Sequence, residues 1–311
     1  MEEFGFGVDI GGTTIKMGLF QGKQLLEKWE IPTNKKEKGR YILGEIARSL
    51  QDKIQEKGMG KNRIIGIGLG VPGPVDANGI VNGCVNLGWD KVPVEKELSQ
   101  LTGIRVKAGN DANVAALGEM WQGGAKGSTN VIMVTLGTGV GGGVIVNKRL
   151  VAGHHGAGGE IGHITVNPEE TEPCNCGRYG CLEQYASATG IVRMAKRKLE
   201  KSKTETSLRG FDPLTAKDIF EEAKKGDILA GELVEDLGEI LGSALSNICC
   251  IADPQVVVIG GGVSKAGKIL TDVVQKHFTK TVFHACRDTK FELATLGNDA
   301  GIYGSMRLIM E

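Results

Sequence analysis

Two stretches built to one plan, roughly 125 residues apart, limit the folds open to this chain. Residues 7–20, Gly7-Val8-Asp9-Ile10-Gly11-Gly12-Thr13-Thr14-Ile15-Lys16-Met17-Gly18-Leu19-Phe20, read as an apolar strand carrying one acid, a Gly-Gly-Thr-Thr turn, and a second apolar strand. Residues 131–146, Val131-Ile132-Met133-Val134-Thr135-Leu136-Gly137-Thr138-Gly139-Val140-Gly141-Gly142-Gly143-Val144-Ile145-Val146, repeat strand, Gly/Thr turn and strand. Paired glycines permit positive φ and leave backbone N–H groups uncovered. Converging N–H groups form a concavity suited to phosphate oxygens. A single hairpin of this kind is equally an ordinary tight turn with one exposed Asp. Two of them, one in each half, predict two related lobes with a polyanion clamped between their turns. Asp9, just before the first turn, is placed to hold a hydrated Mg²⁺ against those oxygens. No Lys or Arg lies between Val131 and Val146, so N–H dipoles and a metal ion would carry most of the attraction.

A chain of 311 residues can bury the cores of two domains. Its 48 glycines are about twice the usual share, and they sit in turns beside β-branched runs, not in a low-complexity tract. Lys+Arg and Asp+Glu balance at 37 each, so no net field recruits nucleic acid or a membrane surface. The start, Met1-Glu2-Glu3-Phe4, leads directly into the first strand without a basic segment and apolar core, so no secretory signal is expected. No run of 18 uncharged apolar residues predicts a transmembrane helix. Seven cysteines, odd in number and unevenly spread, argue against a disulfide framework. The expected compartment is the cytoplasm.

Strand, hairpin and strand occupy about 4–31. Ile42, Ile46, Leu50 and Ile54 recur at helical spacing over 41–57. A buried-type strand runs from Arg63 to Gly70, a short helix spans 94–102, and a strand over Ile104–Ala108 ends at Gly109-Asn110-Asp111 ahead of a helix from Ala112 to Trp121. A loop-rich insertion rich in Gly, His and Cys fills 150–182. A helix over 183–200 carries the basic run Lys196-Arg197-Lys198, expected as a solvated face, and a polar loop follows over 201–213. Thr215 with Asp218 is a helix start signal. Helices at 215–225 and 228–251, a strand over Gln255–Val263, a helix over 265–279, a strand near 291–296 and a last helix from about 299 complete an α/β chain with mixed sheets.

Three glycine motifs mislead. Gly68–Gly73 and Gly137–Gly142 both fit G-x-G-x-x-G. That fingerprint needs a helix immediately afterwards to aim its N-terminus at a pyrophosphate. The first runs into Pro74 and the turn residues Asp76-Ala77-Asn78-Gly79, where Asp76 is expected to stabilise the turn, and the second into the strand Val144–Val146. Gly262–Lys268 nearly matches a phosphate loop, but Ile269 stands where a hydroxyl should meet Mg²⁺.

His163, Cys174, Cys176 and Cys181 follow a spacing H-x10-C-x-C-x4-C, with Gly177 and Gly180 between the last two cysteines. Three thiolates and an imidazole make a closed tetrahedral donor set, the structural zinc pattern, although the spacing is not that of a zinc finger. Cys84, Cys249, Cys250 and Cys286 lack such spacing and are expected to be buried or incidental. His154 and His155 are expected to be plain loop residues.

Asp9–Thr14, Gly70-Val71-Pro72-Gly73, Asn110-Asp111-Ala112-Asn113, Leu136–Gly143 and Gly159-Glu160-Ile161-Gly162-His163 occur in that order across nearly the whole chain. With them the chain resembles the ROK family (repressors, open reading frames, kinases) of the actin/hexokinase-like superfamily. Asn86-Leu87-Gly88-Trp89 and Cys181-Leu182-Glu183 make it most like that family's bacterial glucokinases. The family's repressors carry a winged helix-turn-helix ahead of the first hairpin, for which no residues stand here, so no nucleic-acid partner is expected.

The resemblance implies a two-lobed α/β fold, actin/hexokinase-like (ribonuclease H-like), with duplicated mixed sheets flanked by helices and an interlobe cleft. The small lobe would comprise residues 1–116 plus 298–311, and the large lobe 117–297 with a zinc-bound loop at 150–182. It implies ATP-dependent phosphorylation of glucose at the 6-hydroxyl, or of fructose, mannose, allose or an N-acetylated hexosamine in a related kinase, against a sugar-responsive regulator without catalysis. Asp111 would be the general base, though an Asp at that place is equally a helix N-cap. Asn86, Asn110, Asp111, Glu160, His163 and Glu183 would orient the sugar, His163 also serving zinc through its other ring nitrogen. Glu160 and Glu183 alone would pass for surface acids. Gly11, Gly12, Thr13 and Thr14 would cradle phosphate in one lobe and Gly137, Thr138 and Gly139 in the other, Lys16 adding charge or lying solvated. Gly261, Gly262 and Val263 would let adenine approach. The implied cofactors are ATP, Mg²⁺ and structural Zn²⁺, and the implied assembly a homodimer or homotetramer.

Overall fold

The computed structural model describes residues 3–310; the reading of the chain start at Met1 and Glu2, and the lobe limit at Glu311, lie outside them. Two compact units emerge: Met1–Gly127 with Leu150–Gly159 and Asn298–Glu311, and Ser128–Arg149 with Glu160–Gly297.

The first unit holds a five-stranded mixed sheet. Its strands are β1 (Phe4–Ile10), β2 (Thr14–Gln21), β3 (Gln24–Pro32), β4 (Ile64–Val71) and β7 (Val106–Asn110), ordered β3-β2-β1-β4-β7. A small hairpin, β5 (Val81–Cys84) with β6 (Trp89–Val92), stands apart from it. β1 pairs antiparallel with β2 and parallel with β4, which is itself parallel to β7. β1 and β4 are buried along nearly their whole length, whereas β3 alternates between exposed and half-buried, as an edge strand does. Ile42, Ile46, Leu50 and Ile54 form the buried stripe of the helix Ile42–Glu56, as their spacing predicts.

The second unit repeats the plan with β8 (Val131–Leu136), β9 (Val140–Val146), β10 (Arg149–Leu150), β11 (Val256–Gly260) and β12 (Lys290–Leu293), ordered β10-β9-β8-β11-β12. The hairpin β8/β9 is antiparallel, and β8, β11 and β12 run parallel, as β1/β2 is antiparallel and β1, β4 and β7 run parallel in the first sheet. The predicted duplication of a mixed sheet is present.

The unit limits differ from the predicted lobes. A border after residue 116 would cut the continuous helix Asp111–Gln122. That helix packs on the helix Ala300–Ile309 so closely that a side chain on Gly304 would strike Val114 O. Residues 150–159 belong to the first unit because Asn113 Nδ2 donates to Gly158 O at 3.0 Å and Gly156 lies against the backbone of Val75. The terminal helix is pinned to the first strand by Ser305 Oγ, which donates to Val8 O at 2.9 Å. Gly7 and Gly68 leave room there for the Ile302 and Ser305 carbonyls.

Three further expectations change. The helix predicted over 183–200 is two helices, Glu183–Ala186 and Ala188–Lys201, broken at Ser187, whose hydroxyl caps the second by accepting from Gly190 N. The basic run is not merely solvated: Arg197 pairs with Glu170 and Glu172, and Lys198 with Glu232 and Asp236. The strand predicted to Val263 stops at Gly260 and gives way to a 3₁₀ turn, Gly262–Ala266. The capping box at Thr215 and Asp218 is complete in both directions. No helix among the described residues is long and apolar enough to cross a membrane.

Candidate active site

The first Gly/Thr turn joins β1 to β2. None of Gly11, Gly12, Gly137 and Gly139 takes the positive φ expected of them. The turns close instead by short internal hydrogen bonds, Gly11 N to Thr14 O at 3.0 Å and Gly137 N to Gly139 O at 2.9 Å. A Cβ on Gly11 would stand 2.8 Å from Thr14 O, so the residue type is demanded by the closeness of the turn. Thr33, just past β3, braces the first turn: its N–H donates to Thr13 O at 2.8 Å and its hydroxyl to Gly11 O at 2.7 Å. The N–H groups of Gly12 and Thr13, and of Thr138 and Gly139 in the second turn, have no hydrogen-bond partner among the described residues.

Asp9 lies one residue before the turn, across the ladder from Lys16. Its carboxylate sits against Gly301, where an added Cβ would come within 2.6 Å of Oδ2. Burial, and then the charge of Asp111, push its pKa up to about 6, with Lys16 pulling the other way. Lys16 also donates to Asn298 O at 3.2 Å.

β7 ends at Asn110, which turns out of the strand and caps the helix Asp111–Gln122. Asn110 Oδ1 accepts from Ala112 N at 3.0 Å and Asn113 N at 3.2 Å, and its amide donates to Gly73 O at 3.3 Å. Asp111 is therefore the first helical residue and not the cap, which removes one of the two readings open from sequence. Its Oδ1 accepts from Ala112 N at 2.8 Å. Asn86 is exposed on a 3₁₀ turn, Val85–Leu87, between β5 and β6. Asp76 holds its own turn by accepting from Asn78 N and Ile80 N.

In the second unit, Glu183 opens the broken helix and faces the second turn. Its Oε2 accepts from Val140 N at 2.9 Å and occupies the space a side chain on Gly139 would need, while Oε1 lies 3.7 Å from Cys174 Sγ. Thr189 Oγ1 donates to Thr138 O at 2.9 Å. His163 ends a 3₁₀ turn that begins beside the exposed Glu160, whose Oε2 is 3.9 Å from His163 Nε2. The other ring nitrogen, Nδ1, is 4.0 Å from Cys174 Sγ.

One potential ligand atom from each of His163, Cys174, Cys176 and Cys181 lies within 4.8 Å of all the others, and Cys176 Sγ is 3.7 Å from Cys181 Sγ. These separations and this donor set fit one tetrahedral ion. Behind them, Cys181 N donates to Gln184 Oε1 at 3.1 Å. Buried Glu170 accepts from Arg197, from Tyr185 Oη at 2.6 Å and from two backbone N–H groups. Arg197 is the main reason its carboxyl is held well below the usual range.

Gly262 and Val263 wall a cavity of about 380 Å³ with Ala188, Thr215, Phe220 and Lys265. Gly261, predicted beside them, is instead the turn residue: φ is 84° and its backbone abuts Leu136. The aromatic wall at Phe220 escaped sequence reading because a helix 40 residues upstream supplies it. Lys35 was missed too: its Nζ lies 3.5 Å from where a Cβ on Gly12 would stand. The lysines at 35, 36 and 38 after β3 were its only signal.

The model of the ROK family matches residues 5–311. The glucokinase of Halalkalibacterium halodurans is 44% identical over 98% of this chain and 94% of its own length. Among solved structures, a ROK family glucokinase from Streptomyces griseus, in complex with glucose and AMPPNP, superposes with a TM-score of 0.76 at 32% identity over 98% of both chains. A ROK hexokinase from Thermus thermophilus does so with a TM-score of 0.80 at 32% identity, over 98% of this chain and 97% of its own. The chain has the actin/hexokinase-like fold of these structures, and it belongs to the ROK family.

Proposed function

We propose that this protein transfers the γ-phosphoryl group of ATP to the 6-hydroxyl of glucose. The observation that carries the reading is Asp111: a carboxylate at the first position of a helix already capped by Asn110, close enough to Asp9 beside the Gly/Thr turn to raise its pKa. The carboxylate of Asp111 takes the hydroxyl proton as the sugar oxygen forms its bond to the γ-phosphorus and ADP departs. The N–H groups of Gly12, Thr13, Thr138 and Gly139 receive phosphate oxygens, and the cavity at Gly262, Val263 and Phe220 receives the adenine. Asn86, Asn110, Asp111, Glu160, His163 and Glu183 are the proposed sugar ligands. Asn110 keeps one amide N–H for that purpose beyond its bond to Gly73.

Asp9, walled by Gly301, is a carboxylate suited to hold Mg²⁺ through its waters, and the ion when bound neutralises charge on the phosphates. The Cys3His cluster is proposed to hold structural zinc and so to fix the loop that presents Glu160. A cytoplasmic homodimer or homotetramer completes the reading.

The test is coupled-assay turnover with glucose, mannose, fructose, allose and N-acetylated hexosamines, each against ATP and other donors. Highest kcat/KM with glucose and ATP is expected. A different preferred sugar corrects the substrate, and glucose binding without ATP consumption replaces the kinase by a sugar-responsive regulator.

A further inference from the structure

Lys35 belongs to no motif, yet it reaches the first phosphate turn. The segment after β3 is folded over that turn by the two hydrogen bonds from Thr33 to Thr13 O and Gly11 O. Its next residues are held as well: Lys36 N donates to Asn34 Oδ1 at 3.2 Å, and Asn34 Nδ2 to Glu45 Oε1 at 2.7 Å. The loop is thus anchored on both sides of Lys35. From it the Lys35 ammonium lies 3.5 Å from the Cβ position of Gly12, beside the N–H groups of Gly12 and Thr13 that lack partners among the described residues. The side chain is exposed. N–H dipoles and an ammonium therefore present positive potential at one place. The charges of Lys35 and Asp111 both act on Cys84, so the two residues share a neighbourhood.

We propose that Lys35 is a further catalytic residue, its ammonium contacting the non-bridging oxygens of the phosphoryl group as it passes from ATP to sugar. The role rests on the kinase reading above; the position rests on the first unit alone. A lysine on a flexible stem is a point charge that can follow a moving phosphoryl group, whereas the dipoles of the turn are fixed. It also supplies the cation that neither glycine turn contains.

The test compares Lys35→Met, Lys35→Arg and Lys36→Met. Lys35→Met keeps the length of the side chain and removes the charge. It should lower kcat/KM for ATP by about 10²-fold, the scale of losing one transition-state donor, with KM for glucose and Tm unchanged. Lys35→Arg should recover activity to within about tenfold, and Lys36→Met should stay within about twofold of the parent. A second readout needs no turnover: titration with AMPPNP and with AMP, in Mg²⁺, should show Lys35→Met losing affinity for the first only. Lys35→Met with parental turnover and parental AMPPNP affinity overturns the proposal, as does an equal loss in Lys36→Met. A parent protein that phosphorylates none of the sugars would defeat the kinase reading, and the AMPPNP titration would still decide the place of Lys35. A parent that binds no AMPPNP would end both.

Discussion

Asn110 caps the helix that Asp111 begins. Of these two adjacent polar residues at a strand end, Asn110 accepts from Ala112 N and Asn113 N as the cap, while Asp111, whose Oδ1 also accepts from Ala112 N, presents the carboxylate. Separate substitutions should therefore separate the tasks. Asp111→Asn should melt within a degree or two of the parent and lose turnover by about 10²-fold or more. Asn110→Ala should cost about 1 kcal/mol of stability through the lost cap. Melting curves and a coupled assay on both variants decide it, and parental turnover in Asp111→Asn would remove the general base.

Asp9 should make stability fall with rising pH. Its folded pKa is pushed from 3.8 to about 6, chiefly by burial and then by Asp111. The folded state therefore binds more protons than the unfolded chain between those values, and stability is lost as pH rises through that window. The shift corresponds to at most about 3 kcal/mol. Asp9→Asn should be the more stable protein at pH 8 without Mg²⁺ or nucleotide, and the gap should close toward pH 4. A gap that widens on acidification would contradict the assigned environment.

One zinc per chain should co-purify, as metal analysis would show. Cys176 is exposed while Cys174 and Cys181 are buried, so Cys176→Ser removes a ligand without opening a cavity. It should lose the metal and lower the apparent Tm by about 5 °C or more. A strong chelator should do the same to the parent and nothing further to the variant.

Glu170 should matter to stability at neutral pH and little in acid. Its side chain is 3% exposed and accepts from Arg197, Arg193 and Tyr185. Glu170→Gln leaves Arg193 and Arg197 only the more exposed Glu172 as an anion and should cost about 2–3 kcal/mol, less than breaking a fully buried pair because Glu172 remains and Arg197 reaches solvent. The folded carboxyl titrates well below its ordinary range, so this contribution is present above that range and is lost as pH falls through the folded value. Thermal melts from pH 7 down to about pH 2.5 should show the difference unchanged above the ordinary Glu value of 4.5 and narrowing steadily below it.

Local chemistry carried much of this structure into the sequence. Apolar runs on either side of the Gly/Thr turns located β1, β2, β8 and β9, and helical spacing located the helix Ile42–Glu56. The pairing of Thr215 with Asp218 marked a helix start, and the cysteine spacing marked a donor set that the fold gathers within 4.8 Å. Each of these signals lies within about a dozen to two dozen residues, where backbone geometry alone decides who meets whom.

What stayed hidden depends on distant partners. Ser187 breaks a helix that periodicity runs straight through, because its hydroxyl offers the next turn a cap. β5 and β6 were missed since Val81–Cys84 and Trp89–Val92 are four residues each. Gly7 opens the first hairpin stretch and Gly68 a G-x-G-x-x-G match, and only the fold shows a helix backbone resting on them. Lys35 and Phe220 acquire meaning from a turn and a cavity to which they are not adjacent in sequence.

The contact between Ser305 and Val8 ties residues 297 positions apart. The helix Ala300–Ile309 leaves the ribosome roughly 290 residues after β1, so the first unit waits through synthesis of the second with one face of its sheet uncovered. A nascent chain stalled in the second unit would leave Phe20, Leu25 and Ile65 without the Met306 and Ile309 side chains they cluster with. A partly made copy thus carries a first unit that still lacks the helix resting on its sheet.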